Sequence, residues 1–137
     1  MSDAARLEFA YPRVGLTGDG GSTFFLSRLV GLRKARGIVL LDEPIAPAEA
    51  VDLDLATEVV AADELDERRR EVADDLATGP TRAFGATRRL LPESFGRDLE
   101  GQLAAEAEAV VGATGTADYR RDYGAFFGDG TPEFEGR

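Results

Sequence analysis

The chain has 137 residues, enough for one modest domain with a limited core, and 26 Asp and Glu against 16 Lys and Arg give a formal net charge of −10. That balance excludes partners recognised by neutralising phosphates, so neither nucleic acid nor an anionic membrane surface is expected. The absence of Cys and His removes disulfides, thiolate chemistry, the commonest metal ligand and every Ser-His or Cys-His pair, which leaves acid–base work to Asp, Glu, Tyr or the single Lys34.

In chain order, ARLEFAYP alternates weakly through Leu7, Phe9 and Tyr11 and predicts a short strand. GLTGDGGST, Gly15 to Thr23, comes next. Its Gly15, Gly20 and Ser22 imitate the spacing of a phosphate loop. Gly21 stands where that loop needs lysine, however, and Asp19 would repel phosphate, so no nucleotide is expected there. STFFLSRLVG predicts a helix capped by Ser22 or Thr23 and stopped at Gly31. LRKARGIVLLD predicts a second helix, with Lys34 facing solvent. EPIAPAEAVDLD reads as a turn at Pro44 and Pro47 followed by a short helix, and LATEVV as a brief strand.

The second half reads as helical. DELDERRREVADDLATG places Leu65, Val72 and Leu76 on one face, with Asp63 as cap and Gly79 as stop. PTRAFGATRRLLP aligns Phe84 with Leu91, and GRDLEGQLAAEAEAVVG aligns Leu99, Leu103 and Val110. TADYRRDYGAFF opens on a Thr116 cap and aligns Tyr119, Tyr123, Phe126 and Phe127, and GDGTPEFEGR reads as an extended or loose end. The acids of DLDL and ADELDE read as a solvated face rather than a metal site. No apolar run is long enough to span a membrane, and no basic leader precedes an apolar stretch, so a cytoplasmic location is expected. An acidic chain nearly free of lysine fits a salt-adapted cytoplasm; an arginine-favouring codon bias would give the same composition.

Four stretches then fall in a recognisable order. They are ARLEFAYPRVGLTGDGGSTFFLSRLVG, RKARGIVLLDEPIAPAEAVDLDLATEVV, LATGPTRAFGATRRLL and TADYRRDYGAFFGDGTPEFEG. Together, from Ala5 to Phe134, they resemble the crotonase (enoyl-CoA hydratase/isomerase) superfamily from its middle onward. Gly15, Leu16, Asp19 and Gly21 most resemble its isomerase-like branch, which includes the epoxyphenylacetyl-CoA isomerases. The resemblance implies an α-rich α/β fold, the C-terminal portion of a crotonase-type fold, with one or two short strands followed by a helical oligomerisation region. Residues 1–60 would end the crotonase core, and residues 61–137 would form the oligomerisation region.

The resemblance also implies a chemistry. Family members bind an acyl-CoA thioester, hold its oxygen with two backbone N–H groups, and move protons with carboxylates; such preorganised donors are usually the largest catalytic term. Asp19 falls on the family's isomerase acid/base, although a turn residue or N-cap is the plainer reading. Tyr11 falls where hydratases carry a glutamate and cannot replace it as a base near neutral pH, which leaves it as a pocket wall, a hydrogen-bond donor or core. Leu16, Gly21 and Phe126 would line the acyl-CoA site, Phe126 from an aromatic position that covers the acyl chain or pantetheine, with core packing as its alternative. No cofactor is expected beyond the CoA carried by the substrate, in a setting of fatty acid metabolism.

Departures from the family pattern accompany the match. Gly18 replaces a proline, which would loosen the loop. Asp54 replaces a glycine, Arg121 and Asp122 replace Glu-Gly, and Asp129 replaces a lysine that holds CoA phosphate. The family segment that carries the oxyanion donors has no counterpart among these residues. The resemblance therefore implies a separate N-terminal half chain as partner, beside assembly into a homo-oligomer, trimer or hexamer. The alternative is a truncated non-catalytic oligomerisation module or a vestigial fragment.

Overall fold

The computed structural model describes residues 1–128 and 132–137, apart from the Phe126 side chain. The chain divides into two compact units, Met1–Arg69 and Arg70–Arg137.

In the first unit, α1 (Ser22–Leu29) and α2 (Gly31–Leu41) pack on each other, and α3 (Pro47–Asp52) starts at a proline in its first turn. Val30 caps the end of α1, and Gly31 opens α2 in the left-handed region at φ 76° instead of only stopping the first helix. Gly21, not Ser22 or Thr23, occupies the N-cap of α1, also left-handed, at φ 81°. The core is small: Ile38, Ile45 and Ala50 form it, with Met1, Phe9, Leu26, Val30, Leu53, Leu55 and Ala56 packed around. Burial of this kind stabilises by about 25 cal/mol per Å².

The two expected strands shrink to single bridges. Leu7 pairs antiparallel with Ile45, and Ser2 pairs parallel with Val60. Extension from Leu7 cannot continue, because Ala10 turns left-handed (φ 58°) and Tyr11–Val14 forms one 3-10 turn with Pro12 near its start. The alternation through Phe9 and Tyr11 thus belongs to a turn. Asp54, where the family favours glycine, takes φ 57°, a conformation that aspartate tolerates better than most residues.

The second unit is helical. α5 (Thr81–Glu93), α6 (Leu99–Thr114) and α7 (Ala117–Phe126) follow α4 (Leu65–Thr78), which crosses the boundary between units. Arg68 donates its N–H to Glu64 O at 3.0 Å, so α4 is initiated at Glu64 rather than Asp63. The Thr116 cap forms as expected: its Oγ accepts the Tyr119 N–H at 3.1 Å. Asp98 caps α6 in the same way, accepting from Gly101 N–H at 2.8 Å. The predicted apolar stripes do not become core. Leu76, Leu91, Leu99, Leu103 and Val110 all stay more than half exposed, and the buried side chains among the described residues of this unit are Asp118 and Asp122.

Those two aspartates hold the C-terminal residues. Asp118 Oδ1 accepts the Glu135 N–H and Oδ2 the Gly136 N–H, each at 2.8 Å, and Asp122 Oδ1 accepts the Glu133 N–H at 3.1 Å. The Asp118 carboxyl lies below its usual range, first because of the Glu135 N–H and then because of Arg121. Residues 132–137 form no regular element but are tied down rather than loose.

Candidate active site

The first unit brings together two of the residues singled out in the sequence. The Tyr11 hydroxyl donates a hydrogen bond to Asp19 Oδ1. Asp19 is exposed and Tyr11 half-buried, and Oδ2 of Asp19 has no partner among the described residues. The Tyr11 phenol is held above its usual value, first by this hydrogen bond, then by partial burial and by the carboxylate's charge. Tyr11 therefore stays protonated near neutral pH and acts only as a donor.

Local sequence explains the approach. The turn Tyr11–Val14 closes through Gly15 N–H to Pro12 O at 3.1 Å and Leu16 N–H to Tyr11 O at 3.0 Å. Gly15, Gly20 and Gly21 all have φ between 58° and 81°, a region that costs other L-residues roughly 1–2 kcal/mol. These glycines fold the loop back so that two residues eight apart in sequence meet side by side. Gly18 serves a different purpose. A Cβ there would stand 2.5 Å from the Phe9 ring and 2.3 Å from Ser22 Oγ. Instead of merely loosening the loop, the missing side chain makes room for Phe9, whose ring lies 4.9 Å from that of Tyr11.

Leu16 and Gly21 belong to this same loop. Leu16 is exposed, and Gly21 caps α1 with the Phe25 ring 3.0 Å from its would-be Cβ. Phe126 belongs to the second unit, and its side chain lies outside the described residues, as does Asp129. Two residues missed by the sequence reading border the site, Arg13 and Asp42. Arg13 Nε meets Asp42 Oδ2 at 2.5 Å, and the Ala10 N–H meets Asp42 Oδ1 at 2.7 Å. No local pattern could have paired residues 29 apart.

A model of the enoyl-CoA hydratase/isomerase family matches residues 1–137. The chain belongs to that family. It is 35% identical over 128 residues to the Rhodobacter capsulatus protein named "Probable enoyl-CoA hydratase", covering 93% of this chain and 50% of that one. The 1,2-epoxyphenylacetyl-CoA isomerase of Escherichia coli is 29% identical, over 98% of this chain and 51% of its own. A crystal structure of an enoyl-CoA hydratase/isomerase from Cupriavidus metallidurans superposes with a TM-score of 0.90 at 30% identity, covering 96% of this chain and 49% of that one. The chain thus spans about half the length of the relatives it matches, and its helix-rich fold corresponds to a C-terminal portion of the crotonase fold.

Elsewhere the structure offers less chemistry. A groove of about 820 Å³ between α5 and α6 is lined in part by Ala105, Ala109 and Gly112. Tyr11, Leu16, Asp19 and Gly21 do not line it. Among the described residues, no group of three or more Asp or Glu is arranged to hold a metal ion, and no helix is long and apolar enough to cross a membrane.

Proposed function

We propose that this chain is the C-terminal half of an enzyme acting on an acyl-CoA thioester, with Asp19 as its acid/base. The hydrogen bond from Tyr11 to Asp19 Oδ1 carries the reading. In this reading the Asp19 carboxylate takes a proton from the acyl chain, an enolate forms at the thioester, and the proton returns at another carbon. Tyr11 orients the carboxylate and steadies its charge but cannot take the proton itself. The oxyanion donors that stabilise the enolate come from the N-terminal half of the family fold.

Tyr11, Leu16 and Gly21 border the acyl group. Double-bond isomerisation is favoured over hydration, because hydration calls for a second carboxylate where Tyr11 stands. The chain needs no cofactor beyond the CoA of its substrate. It works in the cytoplasm, in fatty acid metabolism, as a trimer or hexamer built on its C-terminal helices, and it is adapted to high salt. Co-expression with the reading frame directly upstream, followed by assay against a broad acyl-CoA panel, tests the proposal. Turnover that vanishes in Asp19→Asn supports it; no turnover from the assembled pair refutes it.

A second reading rests on α7. The rings of Tyr119, Tyr123 and Phe127 lie tilted against one another, with centroids 5.3 and 5.0 Å apart, and are 41%, 53% and 71% exposed. Such an aromatic face suits burial against a partner, as in a non-catalytic oligomerisation module. Light scattering at working salt separates the cases: a clean monomer removes the module reading, and a trimer without turnover favours it.

A further inference from the structure

We propose that Asp42, acting with Arg13, is the positioning residue of the Tyr11–Asp19 pair. One carboxylate holds the backbone N–H just before Tyr11 and the Arg13 side chain just after it. Its Oδ1 accepts the Ala10 N–H at 2.7 Å, and its Oδ2 accepts from Arg13 Nε at 2.5 Å. Arg13 is held from the other direction as well, through Nη1 to Glu8 Oε2 at 2.9 Å, and Arg6 Nε meets Glu8 Oε1 at 2.6 Å.

The anchor itself is fixed. Asp42 ends α2 in the left-handed region (φ 50°), and its N–H returns to the carbonyl of buried Ile38 at 3.1 Å. Its side chain is only 10% exposed, whereas that of Arg13 is 50% exposed. Ala10, on the near side of Tyr11, is itself left-handed, a conformation that alanine rarely holds unless its surroundings impose it. Asp42 supplies that constraint by accepting the Ala10 N–H.

The chain of dependence follows. Tyr11 opens a single 3-10 turn whose entry (Ala10) and interior (Arg13) are both bonded to Asp42. One turn of this kind has little stability of its own. Without the Asp42 carboxylate, Ala10 can leave the left-handed region, the turn relaxes, and the phenol swings away from Asp19. The Asp42 carboxyl is held below its usual range, first by the Ala10 N–H and then by Arg13, so it remains an acceptor throughout the neutral range.

This inference rests on Asp19 being the reactive carboxylate, and its test needs no substrate. The chain has no Trp and only three Tyr, so Tyr119→Phe with Tyr123→Phe leaves Tyr11 as the one strong fluorophore. Donation to a carboxylate quenches phenol emission and raises the pH at which the phenol ionises. Asp19→Asn should brighten Tyr11 and lower its titration midpoint, and Asp42→Ala should do both by the same factor. Arg13→Gln, at a more exposed side chain, should do so in part, while Arg13→Lys should fall nearer the parent. Combining Asp19→Asn with Asp42→Ala should add nothing further. Unchanged emission and midpoint in folded Asp42→Ala and Arg13→Gln overturn the inference; if Asp42→Ala fails to fold, Arg13→Gln alone decides. Loss of acyl-CoA turnover is read separately, so a shifted fluorescence with no activity in any variant refutes the enzyme reading and leaves the positioning intact.

Discussion

Replacing Ile45 by alanine tests how the small core supports the site. Ile45 is 5% exposed and exchanges both backbone hydrogen bonds with Leu7, at 3.1 and 2.9 Å. It also belongs to the cluster on which Phe9 packs, two residues before Tyr11. The alanine keeps the backbone bonds and removes three carbons, each worth about 0.8 kcal/mol on burial. A residual cavity adds to this, for a total of about 3 kcal/mol. That is roughly a 150-fold change in the folding equilibrium. With a urea slope of about 1–3 kcal/mol/M, the midpoint should fall by about 1–3 M. Far-UV circular dichroism in the salt that folds the parent reads the transition. Ile45→Val should cost about 1 kcal/mol, and Leu40→Ala, at a side chain 73% exposed, should stay within about 0.5 kcal/mol of the parent. An Ile45→Ala midpoint indistinguishable from that of Leu40→Ala would refute the packing described for the first unit.

Three further outcomes are expected. Thr116→Ala removes the acceptor of the Tyr119 N–H and should cost about 1 kcal/mol, seen as a lower midpoint in the same urea titration; no change would remove the cap from the account of α7. Gly136→Ala puts a Cβ 2.5 Å from Thr81 Oγ1 at a residue with φ 74°. The left-handed backbone alone costs about 1–2 kcal/mol, so the C-terminal residues should become faster substrates for a carboxypeptidase; unchanged release would contradict the docked tail. Acid should free the same residues. Asp118 is lowered from 3.8, first by the Glu135 N–H, and Glu135 from 4.5, first by Arg137. Their contribution is present above those ordinary values and is lost as pH falls through the lower folded-state values. The protection factors of the Glu135 and Gly136 amides, taken against the intrinsic exchange rate at each pH, should thus be high near neutrality and fall well below pH 3.8; protection factors unchanged once the carboxyls are protonated would contradict it.

Much of this architecture was legible residue by residue. Gly31, Pro47, Gly79 and Thr116 marked helix ends because each acts locally, through φ, a missing donor or a side-chain acceptor. The family was legible because its motifs recur in order along the whole chain. GLTGDGGST was legible as a loop presenting Asp19, because glycine at left-handed positions has a local cause.

What stayed hidden depends on residues far apart. Nothing near Ala10 announces a left-handed alanine; that follows from Asp42, which reaches it across a helix. For the same reason the alternation of Leu7, Phe9 and Tyr11 suggested a strand that only Leu7 begins. The 3.6-residue stripes of α4 and α6 located helices correctly but not a core, since Leu99 and Leu103 stay 75% and 54% exposed. No local pattern marked Asp118 and Asp122 as acceptors, and only the returning C-terminus shows them as such.

The most direct test follows hydrogen exchange into an acyl-CoA in deuterated water, catalysed by the chain assembled with its N-terminal half. Deuterium should enter the acyl chain with the parent protein. In Asp19→Asn that exchange should slow by about 10²–10⁴-fold, with thioester binding retained. Exchange by Asp19→Asn at the parent rate would contradict Asp19 as the acid/base and, with it, the central claim.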